Sequence, residues 1–224
     1  MCPPPHDPDP KATWRPVEWD AGDVVLVVAQ RAHTCLVEGR WRLGAVPASA
    51  LERLPAITDA DYDQHWIRDG KGIADFLGER RIIHVTPEEI KPRKAARYAT
   101  LVAAHARPMP GAIDIIDRLD GRLRLALATA SYRDAARAAL DAIGLAGRFK
   151  YFAAKENVER IKPHPDVFLH VAEVMGVTPE ECVVFEDSEK GIRAAHAAGM
   201  RSIAVPNEHT ASHDFSLATR EVKS

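Results

Sequence analysis

The second half of the chain switches repeatedly between two hydrophobic rhythms. RLRLALATAS (122–131) is a short apolar run ending at Thr129, the pattern of a buried strand. YRDAARAALDAIGLAG (132–147) then carries its apolar residues at helical spacing, with Gly144 or Gly147 near the end. KYFAA (150–154) reads as a short strand, and HPDVFLHVAEVMGV (164–177) as a helix opening on Pro165 and Asp166. ECVVFED (181–187) is a strand that closes on two acids. SEKGIRAAHAAGM (188–200) is a helix with Ser188 as its N-cap and Gly199 just past its end. RSIAVPN (201–207) is another strand, and VVLVVAQ (24–30) supplies one near the start. Alternation of this kind predicts an α/β fold: a Rossmann-like, doubly wound parallel sheet of at least five strands with crossover helices.

The middle of the chain breaks the alternation. PASALERL (47–54), DADYDQHWI (59–67), GIADFLGERRI (72–82) and PEEIKPRKAARYATLVAAHA (87–106) have helical patterns with no convincing strand between them. They predict a helical cap domain over 39–105, inserted into a core made of 20–38 and 106–224. ARPMPGAIDIIDRLD (106–120) returns to the core through a Pro-Gly turn into a helix. Residues 1–19 are proline-rich and polar, the composition of a disordered or loosely attached arm.

Composition narrows the partners. Formal net charge is −2, which gives no electrostatic case for nucleic acid or an anionic membrane. The longest apolar stretch, 24–29, is far too short to cross a bilayer, and the first residues lack the apolar core of a secretory signal. Three widely spaced cysteines, Cys2, Cys35 and Cys182, argue against a disulfide framework or a cysteine zinc site. A reducing, cytoplasmic setting is the expectation, for a monomer or homodimer.

In an open parallel sheet the ligand crevice lies at the carboxyl ends of the strands. One such end carries Thr129, Ala130 and Ser131, and another Glu186 and Asp187; Lys162 sits in the loop before a helix. Singly, each has an ordinary explanation: a turn hydroxyl, acids at a helix start, a solvated lysine. Together they are what a phosphate site with a hard cation requires. A hydroxyl, backbone N–H groups and a lysine hold phosphoryl oxygens, and carboxylates hold the metal.

LALATAS (125–131), RIKPHPDVFLHVAEVMGV (160–177) and CVVFEDSEKGIRAAHAAGM (182–200) resemble the second, third and fourth motifs of the haloacid dehalogenase superfamily. PMPGAIDIIDRL (108–119) adds to the likeness, which extends over about residues 24–207 and is greatest to the β-phosphoglucomutase and phosphoglycolate phosphatase group. The resemblance implies a phosphatase or phosphomutase acting on a small phosphorylated metabolite with Mg2+. It implies that Thr129 binds the transferring phosphoryl group, helped by the backbone of Ala130 and Ser131. Lys162 would balance charge on the phosphoryl and its nucleophile, and Glu186 and Asp187 would be the magnesium acids. In the expected cap, HWIRDGKG (65–72) falls where the family selects its substrate, so Arg68 and Lys71 are candidates, with His65 and Trp66 behind them.

The first motif departs from the pattern. The family's strand is followed by Asp-x-Asp-Gly-Thr-Leu, in which the first Asp forms an aspartyl-phosphate and the second is the acid and base. With Leu36, Val37 and Glu38 at the pattern's end, Arg31 falls at the nucleophile position and His33 at the acid–base position. Thr34 replaces the glycine. A guanidinium stays protonated and cannot attack phosphorus. His33 can move a proton but has no nucleophile to serve. Arg31 is a candidate replacement for the metal as counter-charge to Glu186 and Asp187. Three readings follow: an impaired phosphohydrolase or phosphomutase, a non-catalytic phosphometabolite-binding or regulatory protein, and an enzyme using His33 in other chemistry.

Overall fold

The computed structural model describes residues 24–27, 64, 87–207 and 209–222. Their order is β1 (Val24–Val27), α1 (Pro87–His105), α2 (Ala112–Leu119), β2 (Arg124–Ala128), α3 (Arg133–Ala142), β3 (Tyr151–Ala153), α4 (Asp166–Met175), β4 (Cys182–Glu186), α5 (Glu189–Ala197), β5 (Arg201–Ala204) and β6 (Arg220–Glu221). The strands form one six-stranded sheet in the order β3-β2-β1-β4-β5-β6. All five pairings are parallel. The chain winds outward from β1 toward β3 and then from β4 toward β6. The carboxyl ends of β1 and β4 therefore flank the point where the winding reverses, which is where such sheets bind ligands.

β2 shows how the sequence builds two layers. Leu125 and Leu127 face one side and pack with Ile116, Leu119, Leu140 and Leu145, from α2, α3 and the turn after α3. Ala126 and Ala128 face the other side, where Val167, Phe168 and Val171 of α4 and Ala194 and Ala195 of α5 complete the core. The period of two sends bulky and small residues to opposite faces. Helices on both faces are what an all-parallel sheet needs to bury its strands.

The expected strands and helices of the second half are present, and the caps of α5 agree with expectation. Ser188 Oγ accepts the Gly191 N–H at 3.3 Å, and Gly199 follows with φ 75°. β6 has no counterpart in the sequence reading, because Arg220 and Glu221 are polar, exposed and only two residues long. Of the helices expected over 39–105, only the last lies among the described residues; it is α1, which lies against α3 of the core. No helix among the described residues is long and apolar enough to cross a membrane.

One core position is poorly matched. Ser202 of β5 is 1% exposed, and its hydroxyl has no hydrogen-bond partner among the described residues. A buried polar group without a partner costs free energy. Ser202→Ala is therefore expected to stabilise the fold by about 1 kcal/mol, read as a higher urea midpoint at unchanged slope.

Candidate active site

The strand ends bring four of the sequence candidates to one edge of the sheet. Thr129 follows β2, Glu186 ends β4 and Asp187 follows it, while Lys162 reaches in from the loop between β3 and α4. Val27 pairs with Phe185, so the end of β1 meets the same edge one residue before Glu186.

Thr129 is 3% exposed and tied to both neighbours. Its N–H donates to Ala153 O at 3.0 Å, and its Oγ1 accepts the Ser131 N–H at 3.1 Å. The hydroxyl oxygen is thus an acceptor already used, which leaves its proton to donate. The Ser131 N–H turns inward to this oxygen, so the donor expected to help bind a phosphoryl group instead fixes the threonine. Ala130 is half-buried beside it.

Lys162 is buried, not solvated. Its Nζ donates to Glu186 Oε2 at 2.7 Å and reaches Ala128 O at 3.4 Å, just before Thr129. It also stands 4.7 Å from the centroid of the Phe168 ring. The two side chains of this ion pair are 5% and 4% exposed. Ser188 Oγ donates to the other carboxylate oxygen, Oε1, at 2.7 Å. Burial pushes the Glu186 carboxyl up, but the Lys162 charge and the hydrogen bonds from Lys162 and Ser188 outweigh it and hold it below its ordinary value. Gly191, in the first turn of α5, has no room for a side chain, because a Cβ there would collide with the Glu186 carboxylate. The glutamate is wedged between a lysine and a helix backbone.

Asp187 is half-buried, and its Oδ2 accepts from Asn207 Nδ2 at 2.9 Å. Asn207 was not singled out from sequence. The signal was there: it is the polar residue that closes VPN at the end of β5, the same edge of the sheet. It is itself held by a turn in which its N–H donates to Thr210 Oγ1 at 3.0 Å and its Oδ1 accepts the His209 N–H at 2.8 Å.

The magnesium that the family resemblance implies needs oxygen ligands in near-octahedral array. Both Glu186 oxygens are already engaged, by a cation and by a hydroxyl. One Asp187 oxygen is engaged by an amide. No group of three metal-ligating side chains occurs among the described residues. Among the described residues, these side chains do not by themselves complete a magnesium site. Arg31, His33, Arg68, Lys71, His65 and Trp66 lie outside the described residues.

A family model described as haloacid dehalogenase-like hydrolase matches residues 19–199. This chain belongs to that family. Within it the chain stands with the phosphatase and β-phosphoglucomutase group. Protein CbbY of Rhodobacter capsulatus is 37% identical over 135 residues, covering 58% of this chain and 60% of that protein. Fructose-1-phosphate phosphatase YqaB of Escherichia coli is 37% identical over 133 residues, covering 59% of this chain and 70% of that protein. The crystal structure of CbbY from Rhodobacter sphaeroides in complex with phosphate superposes with a TM-score of 0.58 at 31% identity, covering 62% of this chain and 64% of that one. The chain thus spans about three-fifths of the length of its CbbY relatives.

Proposed function

We propose that this chain binds a small phosphorylated metabolite at the carboxyl edge of its sheet and does not turn it over through an aspartyl-phosphate. The observation that carries this reading is the pair Arg31 and His33, which stand where the family motif has its nucleophile and its acid–base aspartate. Arg31 follows Val27 by four residues in the sequence.

The described residues support the binding part of this reading. Thr129 has a hydroxyl proton to donate to a phosphoryl oxygen, and its orientation is fixed by the Ser131 N–H. Lys162 is neutralised by Glu186, so the pair adds no net charge to the pocket. Asp187 places a second carboxylate at the same edge. On this reading Arg31 takes the place of magnesium as counter-charge to the acids. A guanidinium also matches phosphate geometry in a bidentate way. The names of the relatives favour a sugar phosphate as the ligand class.

Calorimetry tests this directly. Fructose 1-phosphate or inorganic phosphate is expected to bind in EDTA with unchanged affinity when magnesium is added, and magnesium alone is expected to give no stoichiometric heat. Stoichiometric magnesium binding that Asp187→Asn abolishes contradicts the reading. So does the absence of phosphate binding.

A further inference from the structure

The loop that carries Thr129 is tied to the loop that carries Lys162, and the ties converge on one side chain. Arg133 opens α3. Its guanidinium donates to Phe152 O at 3.2 Å and to Asn157 Oδ1 at 2.5 Å, and it lies 5.0 Å from the centroid of the Phe152 ring. Asn157 Oδ1 also accepts the Ala154 N–H at 2.9 Å, so the guanidinium locks a turn that is already closed on itself. The Lys155 N–H donates to Ser131 O at 3.0 Å. Five residues beyond Asn157 the chain reaches Lys162, whose ammonium returns to Ala128 O, next to Thr129. The two loops form a closed circuit with Arg133 at its far corner.

A separate interaction holds the helix start. Tyr132, at the N-cap of α3, offers no side-chain cap. The Glu156 carboxylate accepts the Arg133 backbone N–H instead, at 3.0 and 3.1 Å, and places negative charge at the positive end of the helix. The Arg133 side chain is therefore not needed to cap α3. Its contacts reach instead to Phe152 of β3 and to Asn157 in the loop beyond it.

We propose that Arg133 is a positioning residue that fixes the Thr129–Ser131 loop against the Asn157–Lys162 loop, and so sets the spacing at which the Thr129 hydroxyl meets a phosphoryl oxygen. This rests on the phosphate-binding reading above. Arginine suits the place because two parallel donors and a flat face act at once; a lysine there has neither the fork nor the stacking plane.

The test compares Arg133→Ala, Arg133→Lys and Thr129→Val by calorimetry with inorganic phosphate and by amide hydrogen exchange. Arg133→Ala keeps the backbone N–H that Glu156 caps, so it removes the link alone. It is expected to weaken phosphate binding about tenfold and to speed exchange of the Ser131 and Lys155 amides, with those of α4 and α5 unchanged. Arg133→Lys is expected to fall between wild type and the alanine variant, and it carries the test where the alanine variant does not fold. Thr129→Val is expected to weaken binding while leaving Lys155 exchange as in wild type. Wild-type affinity in both Arg133 variants overturns the inference, as does faster exchange spread evenly over the fold. Failure of the wild-type chain to bind phosphate overturns the phosphate reading itself, which is a different result.

Discussion

Lys162→Met is expected to destabilise the protein by about 3–5 kcal/mol at neutral pH, the usual cost of stranding one member of a buried ion pair. Glu186 has no other cation among its described partners, and its Ser188 hydrogen bond cannot neutralise a carboxylate that is 4% exposed on its side chain. The sign of the pH dependence distinguishes this cause from simple loss of packing. In the wild type the folded-state pKa of Glu186 lies below its ordinary value of 4.5. Its contribution to stability is then present above that ordinary value and is lost as pH falls through the lower folded one. In Lys162→Met the lysine charge and hydrogen bond are gone and burial is the largest remaining cause, so the folded pKa rises. The variant is therefore expected to gain stability on acidification, where the wild type loses it. Adding Glu186→Gln to Lys162→Met is expected to recover most of the loss at pH 7, because it removes the buried charge and keeps an acceptor for Ser188. Urea titrations from neutral pH down to about pH 3 provide the check. A variant whose stability falls with acid as the wild type's does contradicts the assignment.

The second large effect is a gain of function. On the proposed register, Arg31→Asp with His33→Asp restores the residue types of the family's first motif, which follows β1 in the sequence. In enzymes whose catalytic residues act as a unit, losing the nucleophile alone costs on the order of a million-fold in turnover. Restoring both is expected to raise magnesium-dependent turnover of sugar phosphates by at least about a thousandfold, since new carboxylates also provide the cation ligands that Glu186 and Asp187 do not supply alone. Arg31→Asp without His33→Asp is expected to give a smaller gain, with a nucleophile but no carboxylate acid–base partner. Steady-state phosphate release in the three variants measures this. Equal turnover in wild type and double variant contradicts it.

The features legible in the sequence were those that depend on short-range pattern. The two faces of β2 follow from alternating Leu and Ala, and the start of α5 from Ser188 three residues before Gly191. Thr129, Lys162 and Glu186 converge because each follows or ends a strand or reaches a strand end, and parallel topology puts those ends together. What escaped depends on contacts between distant residues. A lysine in a loop is ordinarily solvated, and only the fold shows Lys162 buried against Glu186, 24 residues away. Glu156 capping α3 lies 23 residues from the N–H it accepts, a spacing with no local signature. β6 escaped for the opposite reason: its two polar residues carry no apolar pattern, and β5 alone gives them a partner. The placing of Arg31 and His33 at the first-motif positions rests on register with the family motif alone, and those residues lie outside the described structure.

The most direct measurement is phosphate release by the unmodified chain from fructose 1-phosphate and p-nitrophenyl phosphate, with and without magnesium. The account predicts no release above the uncatalysed rate in either condition. Magnesium-dependent turnover by the unmodified chain contradicts it, and means that a carboxylate other than one at position 31 makes the attack.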